Sequence, residues 1–501
     1  MNTNLNFALE RIKKSFEIQS EAPPKNKYIV LYRAIKACIV NVELPHNWLL
    51  PSTRILAKEM GVSRTTVLKA YELLLLEKLI IAKAGSGYKV FFEKNQKSDH
   101  VEQGNNSFDK NLYPSLSVKG NAFLKNVSLI NTIINDTGIA FRPGLPPLDV
   151  FPINQWKNLL NTYWRYVKSS GLNYSRATGI DSLKKSICDY LNISRNIKCD
   201  YKQIVVVSGS LQSLYLVSNA LINKDDHVVL EDPTFPNVHS IFKSIQATLL
   251  PIPLDDEGIS MKHIDSINHL KPKIVHTTPS DHYPLGVKMS LNRRKELLQW
   301  ASKNKALIIE NDYEHEIGNT FKYIPSIYSL DTEDRTIYMG TFNRLLHPSI
   351  RLGYMIVPEY LTNAIEALLL HSHRFVAPSI QTVMNQFIER NYLYQHLKNI
   401  SEVAQERQLL FLEEFKKSNK TMTIKTNTFA SLHLIAKFNK HTTEKDEIAL
   451  VDKLSDANIT AHSLSKCYIG NEKQQGLILG YSSVRPAVLK QKARKLVKLI
   501  Q

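Results

Sequence analysis

Cysteine is scarce in this sequence: there are four in 501 residues, at Cys38, Cys188, Cys199 and Cys467. None of them forms a Cys-x-x-Cys pair or stands at a Cys/His spacing typical of zinc sites. This pattern argues against a disulfide-stabilised secreted fold and against a zinc centre. We expect reduced thiols that pack as small hydrophobic side chains, and we predict no metal site.

Long hydrophobic runs are also missing. The most apolar stretch, LLLLEKLIIA at residues 73–82, is interrupted by Glu77 and Lys78. It is much shorter than the ~20 residues that a membrane-spanning helix needs. No apolar core of a secretion signal is found near residue 1. We therefore expect a cytoplasmic protein with no membrane partner.

Acidic residues are outnumbered, with 46 Asp and Glu against 64 Lys and Arg, which gives a net charge of +18. Residues 1–95 contain no aspartate and carry roughly 15 Lys and Arg against roughly 8 Glu. A basic excess in a segment of this size fits a small DNA-binding domain. The charge alone would also suit anionic ligands or a lysine-rich surface that aids solubility.

The chain is too long for a single hydrophobic core, and its character changes after a polar stretch. From Lys94 to about Asn121 the sequence lacks hydrophobic periodicity, which predicts a linker. The predicted organisation is a DNA-binding domain at 1–95 with its core at 28–91, a linker at 96–135, and a domain at 136–501 with a large lobe at about 155–377 and a small lobe at about 378–501.

Apolar, β-rich runs alternate with helical stretches in the large lobe. They are IVVVS (204–208), HVVLED (227–232), KIVHTTP (273–279), ALIIEND (306–312) and TIYMG (336–340). Buried parallel strands separated by helices predict a doubly wound α/β fold. Beyond about residue 378, long helices and the runs SLHLIA and GLILGYSS predict a smaller α+β lobe.

The segment from Leu50 to Val90 has the pattern of a helix-turn-helix followed by a hairpin. Ser52 can cap a short helix that ends at Gly61, and Ser63 can cap a second helix. The second helix places Val67, Ala70, Tyr71 and Leu74 on one face, leaving its N-terminal end free to enter a major groove. Strands at 80–83 and 88–91 would flank Gly85-Ser86-Gly87 as a wing.

Four motifs of this segment, PSTR, GVSRTTV, KAY and GSGY, occur in order and resemble the winged helix of GntR-type regulators over about 70 residues. The resemblance implies that one group of residues touches a double-stranded DNA operator. Arginine can pair with guanine or hold a phosphate, and both alternatives stay open here. The implied DNA-binding residues are Arg54, Ser63, Arg64, Thr65, Thr66 and Gly87.

Five motifs at predicted strand ends, where open α/β sheets build their sites, carry a second resemblance. They are VVVSGSLQSL, EDPTFP, TTPSDHYPLG, IIENDYEHE and YMGTFNRLLHPSIRLGY. Together they resemble the fold type I, pyridoxal-phosphate-dependent aminotransferase domain. A winged helix fused ahead of such a domain is the hallmark of the MocR subfamily of GntR regulators, which the chain resembles outside the linker.

The second resemblance implies a cofactor site. Ser210 and Arg351 would hold the cofactor phosphate, Phe235 would stack on the pyridine ring, and Tyr283 and Tyr313 would lie near the ring hydroxyl. Tyr174 would reach in from a neighbouring subunit, so a homodimer is implied. The alternatives are that the tyrosines only pack and that Arg351 anchors a carboxylate.

Two positions depart from the family pattern where its chemistry is done. The family reads Gly-Thr-Phe-Ser-Lys, with the lysine that forms the internal aldimine, whereas this frame ends in Asn343-Arg344. A guanidinium stays charged and cannot form that Schiff base. The family's first aspartate in Glu-Asp-Asp-Tyr, which pairs with the pyridine nitrogen, is Asn311. The family's Ser-His-Gln is Ser280-Asp281-His282, and GLILGYSS lacks an arginine that related enzymes use for the substrate carboxylate.

The sequence therefore predicts a regulator that is not an enzyme, in which the aminotransferase-like domain dimerises and senses a small anionic or amino-acid effector. Pyridoxal phosphate is implied by resemblance only, held at most noncovalently or lost. Arg344 would either form an ion pair, with Asp312 for example, or grip an anionic ligand. The alternative is an active aminotransferase with an accessory DNA-binding domain.

Overall fold

The computed structural model describes residues 2–20, 26–83, 87–92, 114–130, 140–317, 324–424 and 431–501. The chain divides into two compact units, Met1–Tyr113 and Pro114–Gln501, each of which has its own core. The elements of the first unit are α1 (Asn2–Ser20), α2 (Lys27–Val40), α3 (Thr53–Glu59), α4 (Arg64–Leu76), β1 (Ile80–Lys83) and β2 (Gly87–Val90).

Helices α3 and α4 form where the sequence supplies caps. The Ser52 hydroxyl accepts a hydrogen bond from the Ile55 amide at the start of α3, and the Ser63 hydroxyl accepts one from the Thr66 amide at the start of α4. Gly61, with φ +61°, lies in the turn between them. The predicted face of α4 is buried, and the Tyr71 hydroxyl donates to the carbonyl of Pro51 at 2.7 Å.

The hairpin pairs β1 with β2 in antiparallel register, with Ile80 opposite Val90. The second strand begins at Gly87, one residue before the predicted 88–91. Gly85 and Ser86 of the predicted wing lie outside the described residues. The hairpin is anchored to the unit by the Leu50 amide, which donates to the Tyr88 carbonyl at 2.8 Å.

The large lobe of the second unit contains a mixed sheet with helices on its faces. Its helices are α5 (Val118–Asn126), α6 (Ile153–Tyr166), α7 (Asp181–Arg195), α8 (Ser210–Leu221), α9 (Pro236–Ser244), α10 (Met261–Ser266), α11 (Leu291–Asn304), α12 (Ile327–Leu330) and α13 (Glu359–His371). Its strands are β3 (Ile204–Val207), β4 (His227–Asp232), β5 (Thr248–Asp255), β6 (Gly258–Ile259), β7 (Ile274–Thr277), β8 (Leu307–Asn311), β9 (Thr336–Thr341) and β10 (Gly353–Ile356).

The sheet order is β3-β10-β9-β8-β7-β4-β5-β6. The five predicted strands, β3, β4, β7, β8 and β9, all run in one direction, because β10 is antiparallel to both β3 and β9. Their carboxyl ends therefore meet at one edge of the sheet. The sequence prediction missed β5, which contains Pro251 and Pro253, and the four-residue β10.

The C-terminal elements form the small lobe and its connection to the large one. They are α14 (Pro378–Glu389), α15 (Tyr392–Ser418), α16 (Glu444–Asp456), α17 (Pro486–Ile500), β11 (Met422–Ile424), β12 (His433–Phe438), β13 (His462–Ser463) and β14 (Gly476–Gly480). The four strands form one sheet in the order β11-β12-β14-β13. Helix α14, by contrast, packs against α6 and α7 of the large lobe.

The predicted linker at 96–135 is too long. Helix α5 lies inside it, begins at the Ser117 cap and packs against α9. The Ser240 hydroxyl donates to the carbonyl of Asn126 at 2.9 Å, and Phe123 packs on a buried cluster of the large lobe. Residues 96–113 and 131–135 of the predicted linker lie outside the described residues.

Across the described part of the chain, no helix combines the length and apolar character needed to cross a bilayer. In that same part, no three His, Cys, Asp or Glu side chains are grouped so that they could hold a metal ion.

Candidate functional site

The N-terminal unit presents its predicted DNA-binding residues around the start of α4. Arg54, Arg64 and Thr65 are exposed. The Arg64 Nε donates to the Thr53 hydroxyl at 3.2 Å, which ties α4 to α3. An exposed basic side chain at the start of a helix can meet a phosphate or a base edge, and this contact stays a prediction for Arg64.

The other predicted DNA-binding residues differ in their exposure and in the hydrogen bonds that they already make. Ser63 is exposed, but its hydroxyl caps α4 and lies 2.9 Å from the Thr65 hydroxyl and 2.8 Å from the Thr66 hydroxyl. Thr66 is half-buried, and Gly87 is exposed with φ +84°. The structure thus gives Ser63 a capping role, and the DNA contacts of all these residues stay predictions.

A cavity of about 150 Å³ opens at the carboxyl edge of the large sheet, where the strand-end motifs converge. Seven of the eight predicted cofactor-site residues line it: Ser210, Phe235, Tyr283, Asn311, Tyr313, Arg344 and Arg351. The eighth, Tyr174, lies outside it with 76% of its surface exposed, and its ring lies below Arg374 at 4.8 Å. Within one chain, Tyr174 does not reach the cavity.

One end of the cavity is suited to an anion. Helix α8 begins there at Ser210, and Gly209, Ser210 and Leu211 all line the cavity. The first amides of a helix have no carbonyl partner within the helix, so a helix N-terminus favours an anion. Gly209 has φ +136°, and a Cβ added to it would lie 2.5 Å from the Asn343 Nδ2 atom. Arg351 adds a cation, with its Nη2 3.4 Å from the Ser208 hydroxyl. Glycine is therefore required at 209 by both backbone and space.

Asn343, the residue before Arg344, supports this end of the cavity. Its Nδ2 donates to the Ser208 carbonyl at 3.2 Å, and its Oδ1 accepts from the Leu352 amide at 2.9 Å. The side chain thereby joins the segments that follow β3 and β9. The role of Asn343 cannot be predicted from sequence spacing, because it depends on two segments 135 residues apart.

Arg344 lies against an aromatic wall inside the cavity. Its guanidinium carbon is 4.6 Å from the ring centre of Tyr313, 5.9 Å from that of Phe235 and 6.0 Å from that of Tyr283. Tyr283 and Tyr313 are buried. These contacts favour a retained cation, because aromatic faces attract positive charge.

The partner of Arg344 is Glu314. The Nη1 of Arg344 lies 2.5 Å from the Glu314 Oε1, and the carboxylate is fully buried while the arginine side chain is 20% exposed. Burial opposes the charge on Arg344, but Glu314 outweighs it, and the pKa of the guanidinium is raised. The other Glu314 oxygen accepts from the Ser431 hydroxyl of the small lobe at 3.2 Å.

Gly144 covers the outer side of the guanidinium. It has φ +75°, and a Cβ added to it would lie 2.7 Å from the Arg344 Nη1 and 2.8 Å from its Cζ. Any side chain at 144 would therefore collide with the arginine. The ion pair is thus packed between the aromatic wall and the backbone of this segment.

Asp312 does not pair with Arg344, so the ion pair suggested from the sequence is wrong. The Asp312 carboxylate is buried 2.7 Å from the Nη2 of Arg195 and accepts from the Tyr338 hydroxyl at 2.8 Å. Burial by itself would raise the pKa of Asp312, but Arg195 overcomes this and the pKa falls to about 2. Arg195 lies on α7, and sequence spacing gives no signal for this pairing.

Asn311 lies in the cavity wall where the family has an aspartate. It is 8% exposed, and its Oδ1 has no hydrogen-bond partner among the described residues. An amide can donate to a neutral ring nitrogen, but it cannot balance a protonated one. The unpartnered oxygen is a position where a ligand N–H or O–H could bind.

Two further residues belong to segments that depart from the family pattern, Arg485 and Asp281. Arg485 is 75% exposed, lies 3.7 Å from Asp149 and does not line the cavity. Asp281 is buried. Burial first, and then the nearby Glu314, raise its pKa well above the usual range. Asp281 therefore favours the neutral acid.

Glu231, at the end of β4, is a second buried acid beside the cavity. It accepts hydrogen bonds from the Thr277 hydroxyl and, at 3.0 Å each, from the amide and hydroxyl of Thr278. Burial raises the pKa of Glu231 to about 7, and the threonine hydrogen bonds only partly offset this.

Comparison with protein families gives two matches. The aminotransferase class I and II model matches residues 149–473, and the model for bacterial regulatory proteins of the gntR family matches residues 27–90. Curated relatives include a probable rhizopine catabolism regulatory protein, MocR, from Rhizobium meliloti, 30% identical over 92% of this chain and 91% of that protein. The HTH-type pyridoxine biosynthesis transcriptional regulator PdxR of Corynebacterium glutamicum is 23% identical over 87% of each.

Solved structures support the fold of the second unit. A kynurenine aminotransferase from Pyrococcus horikoshii superposes with a TM-score of 0.66 at 22% identity, covering 79% of this chain and 96% of that one. LysN, an α-aminoadipate aminotransferase from Thermus thermophilus, superposes with a TM-score of 0.67 at 18% identity, covering 75% and 96%. At these identities the likeness shows the fold type I architecture alone.

The buried acid Glu231 predicts a pH dependence of stability. Its folded pKa lies above the unfolded value, so its contribution is present at low pH and is lost as the pH rises through about 7. In the wild type, the free energy of unfolding should fall by up to about 3 kcal/mol between about pH 5 and pH 8 because of this group. We expect this part of the fall to be missing in Glu231→Gln, as measured by urea unfolding of the whole protein. Glu359→Gln, at the exposed start of α13, is the control. Equal declines in wild type and Glu231→Gln would contradict the assignment.

Proposed function

The chain belongs to the MocR-type GntR regulators, in which a winged helix-turn-helix precedes a class I and II aminotransferase domain, and we propose that its second unit binds an anionic effector without transaminating it. The protein is a DNA-binding transcriptional regulator. The observation that carries the proposal is Arg344, paired with Glu314 at the position of the family's reactive lysine.

The absence of transamination follows from the two substituted positions. A guanidinium held beside a buried carboxylate does not lose its proton, and so it offers no nitrogen lone pair to a carbonyl. Among the described residues that line the cavity there is no lysine to replace it. Asn311 cannot balance a protonated pyridine. These residues do not fit a covalently attached pyridoxal phosphate.

The cavity does suit a noncovalent anionic ligand. A phosphate or carboxylate would be held by the α8 amides, by Ser210 and by Arg351, which forms no ion pair with any of the described residues. A flat body would lie against Phe235, and a donor group on it would satisfy the Asn311 oxygen. Pyridoxal phosphate bound without a Schiff base is one molecule of this class, and phosphorylated or acidic metabolites are others.

Dimerisation is supported by exposed apolar side chains in the last turn of α6 and in the segment just after it. Trp164, Tyr166, Leu172 and Tyr174 are each between 57% and 76% exposed and fall within eleven residues. Large apolar side chains grouped this way mark interaction surfaces. A second copy bound there would cover Tyr174 and would bring two winged helices to one operator.

An active aminotransferase is the rival function, favoured only by the intact fold and the cavity. It needs a nucleophilic amine where Arg344 now lies, so the two functions predict different chemistry with the same added cofactor.

Arg64 tests the DNA-binding function. We expect Arg64→Ala to weaken binding to a mixed-sequence DNA duplex and to reduce the slope of log K against log salt by about 1, because one phosphate contact is lost. Fluorescence anisotropy at several salt concentrations measures both. Lys262→Ala removes the same charge from an exposed position of α10 in the second unit and should leave the slope unchanged. An unaltered slope for Arg64→Ala would remove Arg64 from the phosphate contacts.

Substitutions at Arg344 and Asn311 test whether the protein lacks imine chemistry. We expect wild-type protein mixed with pyridoxal phosphate to show no aldimine absorbance, and to gain no borohydride-fixed adduct in its peptides from residues 338–354. Arg344→Lys combined with Asn311→Asp should gain both, with the adduct mapped to position 344. Arg344→Met, which removes the charge without adding an amine, is the control. A fixed adduct in the wild-type cavity would support the aminotransferase instead.

A charged substitution among the exposed apolar side chains at the end of α6 tests the proposed dimer. We expect Leu172→Glu to convert the protein from dimer to monomer in sedimentation equilibrium at micromolar concentration, because it buries a charge in the interface. Leu409→Glu, on α15 and as exposed as Leu172, should stay dimeric. If wild-type protein is a monomer, or if both variants remain dimers, this surface is not the interface.

A further inference from the structure

Two cysteines that are eleven residues apart lie side by side at the surface of the large lobe. Cys188 is in α7, whose last turn ends at Asn196 with φ +51°, so the chain reverses there. Cys199 then returns alongside the helix, and the two Sγ atoms lie 3.3 Å apart. The expectation that the cysteines pack as buried hydrophobes holds for Cys38 and Cys467, whereas Cys188 and Cys199 are only half-buried.

The two thiols are not equivalent. A disulfide bond is about 2.05 Å long, so at 3.3 Å these are separate thiols in hydrogen-bond contact. Either sulfur can donate in this contact, and the Cys188 thiol also lies 3.5 Å from the Cys199 carbonyl. The contact with Cys199 lowers the pKa of Cys188, against the opposing effects of burial, Asp189 and Asp200, whereas the contact and burial raise the pKa of Cys199. Two thiols in contact, of which one has the lower pKa, can serve as an attacking and a resolving cysteine.

We propose that Cys188 and Cys199 form a redox-reactive dithiol site that a small hydroperoxide oxidises to an intramolecular disulfide. The Cys188 thiolate attacks the outer peroxide oxygen, the O–O bond breaks, and the sulfur becomes a sulfenic acid while the peroxide leaves as alkoxide, which takes up a proton. The Cys199 sulfur then attacks the Cys188 sulfur, and the hydroxyl leaves as water with the Cys199 proton. Two thiols and one hydroperoxide give one disulfide, one alcohol and one water.

The position of the pair connects it to the cavity wall. The loop that the disulfide would close carries Tyr190, whose hydroxyl donates to Glu316, and Arg195, which pairs with Asp312. Both acids follow β8 and flank the Tyr313–Glu314 stretch of the cavity. Oxidation would therefore restrain the segment that anchors one side of this stretch.

Thiol counting on the intact protein tests the proposal. Reduced protein is treated with hydrogen peroxide, denatured, and labelled with a maleimide. We expect the count to fall from four free thiols to two, peptide mass mapping to show Cys188 joined to Cys199, and dithiothreitol to restore all four. Cys38→Ala and Cys467→Ala, which alter the buried cysteines, should each still lose two. Cys199→Ser should stop at a sulfenic acid on Cys188 that dimedone traps.

A second measurement needs no variant. Phenylarsine oxide bridges two neighbouring thiols, so one equivalent should protect Cys188 and Cys199 together from the maleimide in native protein. Four free thiols after peroxide treatment, a disulfide to Cys38, to Cys467 or to a second chain, or a failure of phenylarsine oxide to protect the pair would each overturn the proposal.

Discussion

The ion pair between Arg344 and Glu314 joins the segments that build the cavity. Arg344 follows β9, Glu314 follows β8, and the second carboxylate oxygen reaches Ser431 at the start of the small lobe. The pair lies largely out of water, where removing one partner would strand the other charge. Both lobes and the aromatic wall are therefore positioned around a charge pair rather than around a free amine.

This arrangement changes what the cavity can select. A lysine that can lose its proton makes a site reactive toward carbonyls. A charged arginine whose charge is balanced by a carboxylate contributes only shape and hydrogen bonds. The remaining cation, Arg351, lies at the other end beside α8. The charge of a ligand would thus be recognised at the α8 end, and its body by the aromatic rings and Asn311.

Much of this architecture could be predicted from the sequence, for reasons that lie in local chemistry. Caps at Ser52 and Ser63 and the apolar face of α4 are encoded within a few residues. The runs that form β3, β4, β7, β8 and β9 are short, largely apolar segments whose polar residues lie mostly at their ends. Helix α5 is not predictable from local sequence, because its apolar residues are few and it is stabilised by packing on α9.

The sequence predicts which residues line the cavity, but it does not predict which charged side chains pair with each other. Seven of the eight residues converge because the strands share one direction, which the motifs anticipate. The partner of Arg344 was not predictable from spacing, because Asp312 and Glu314 are equally plausible in sequence and only the backbone after β8 decides which one faces the cavity. The contact of Cys188 with Cys199 likewise depends on the reversal at Asn196.

The contact between Gly144 and Arg344 limits which residues can replace the glycine. While arginine occupies 344, every mutation of Gly144 to a residue with a side chain meets both a left-handed backbone and a guanidinium in its way. A shorter side chain at 344 would remove the clash with the guanidinium, but the positive φ would still strain any side chain at 144. Position 144 is therefore held to glycine by its backbone even where residue 344 changes.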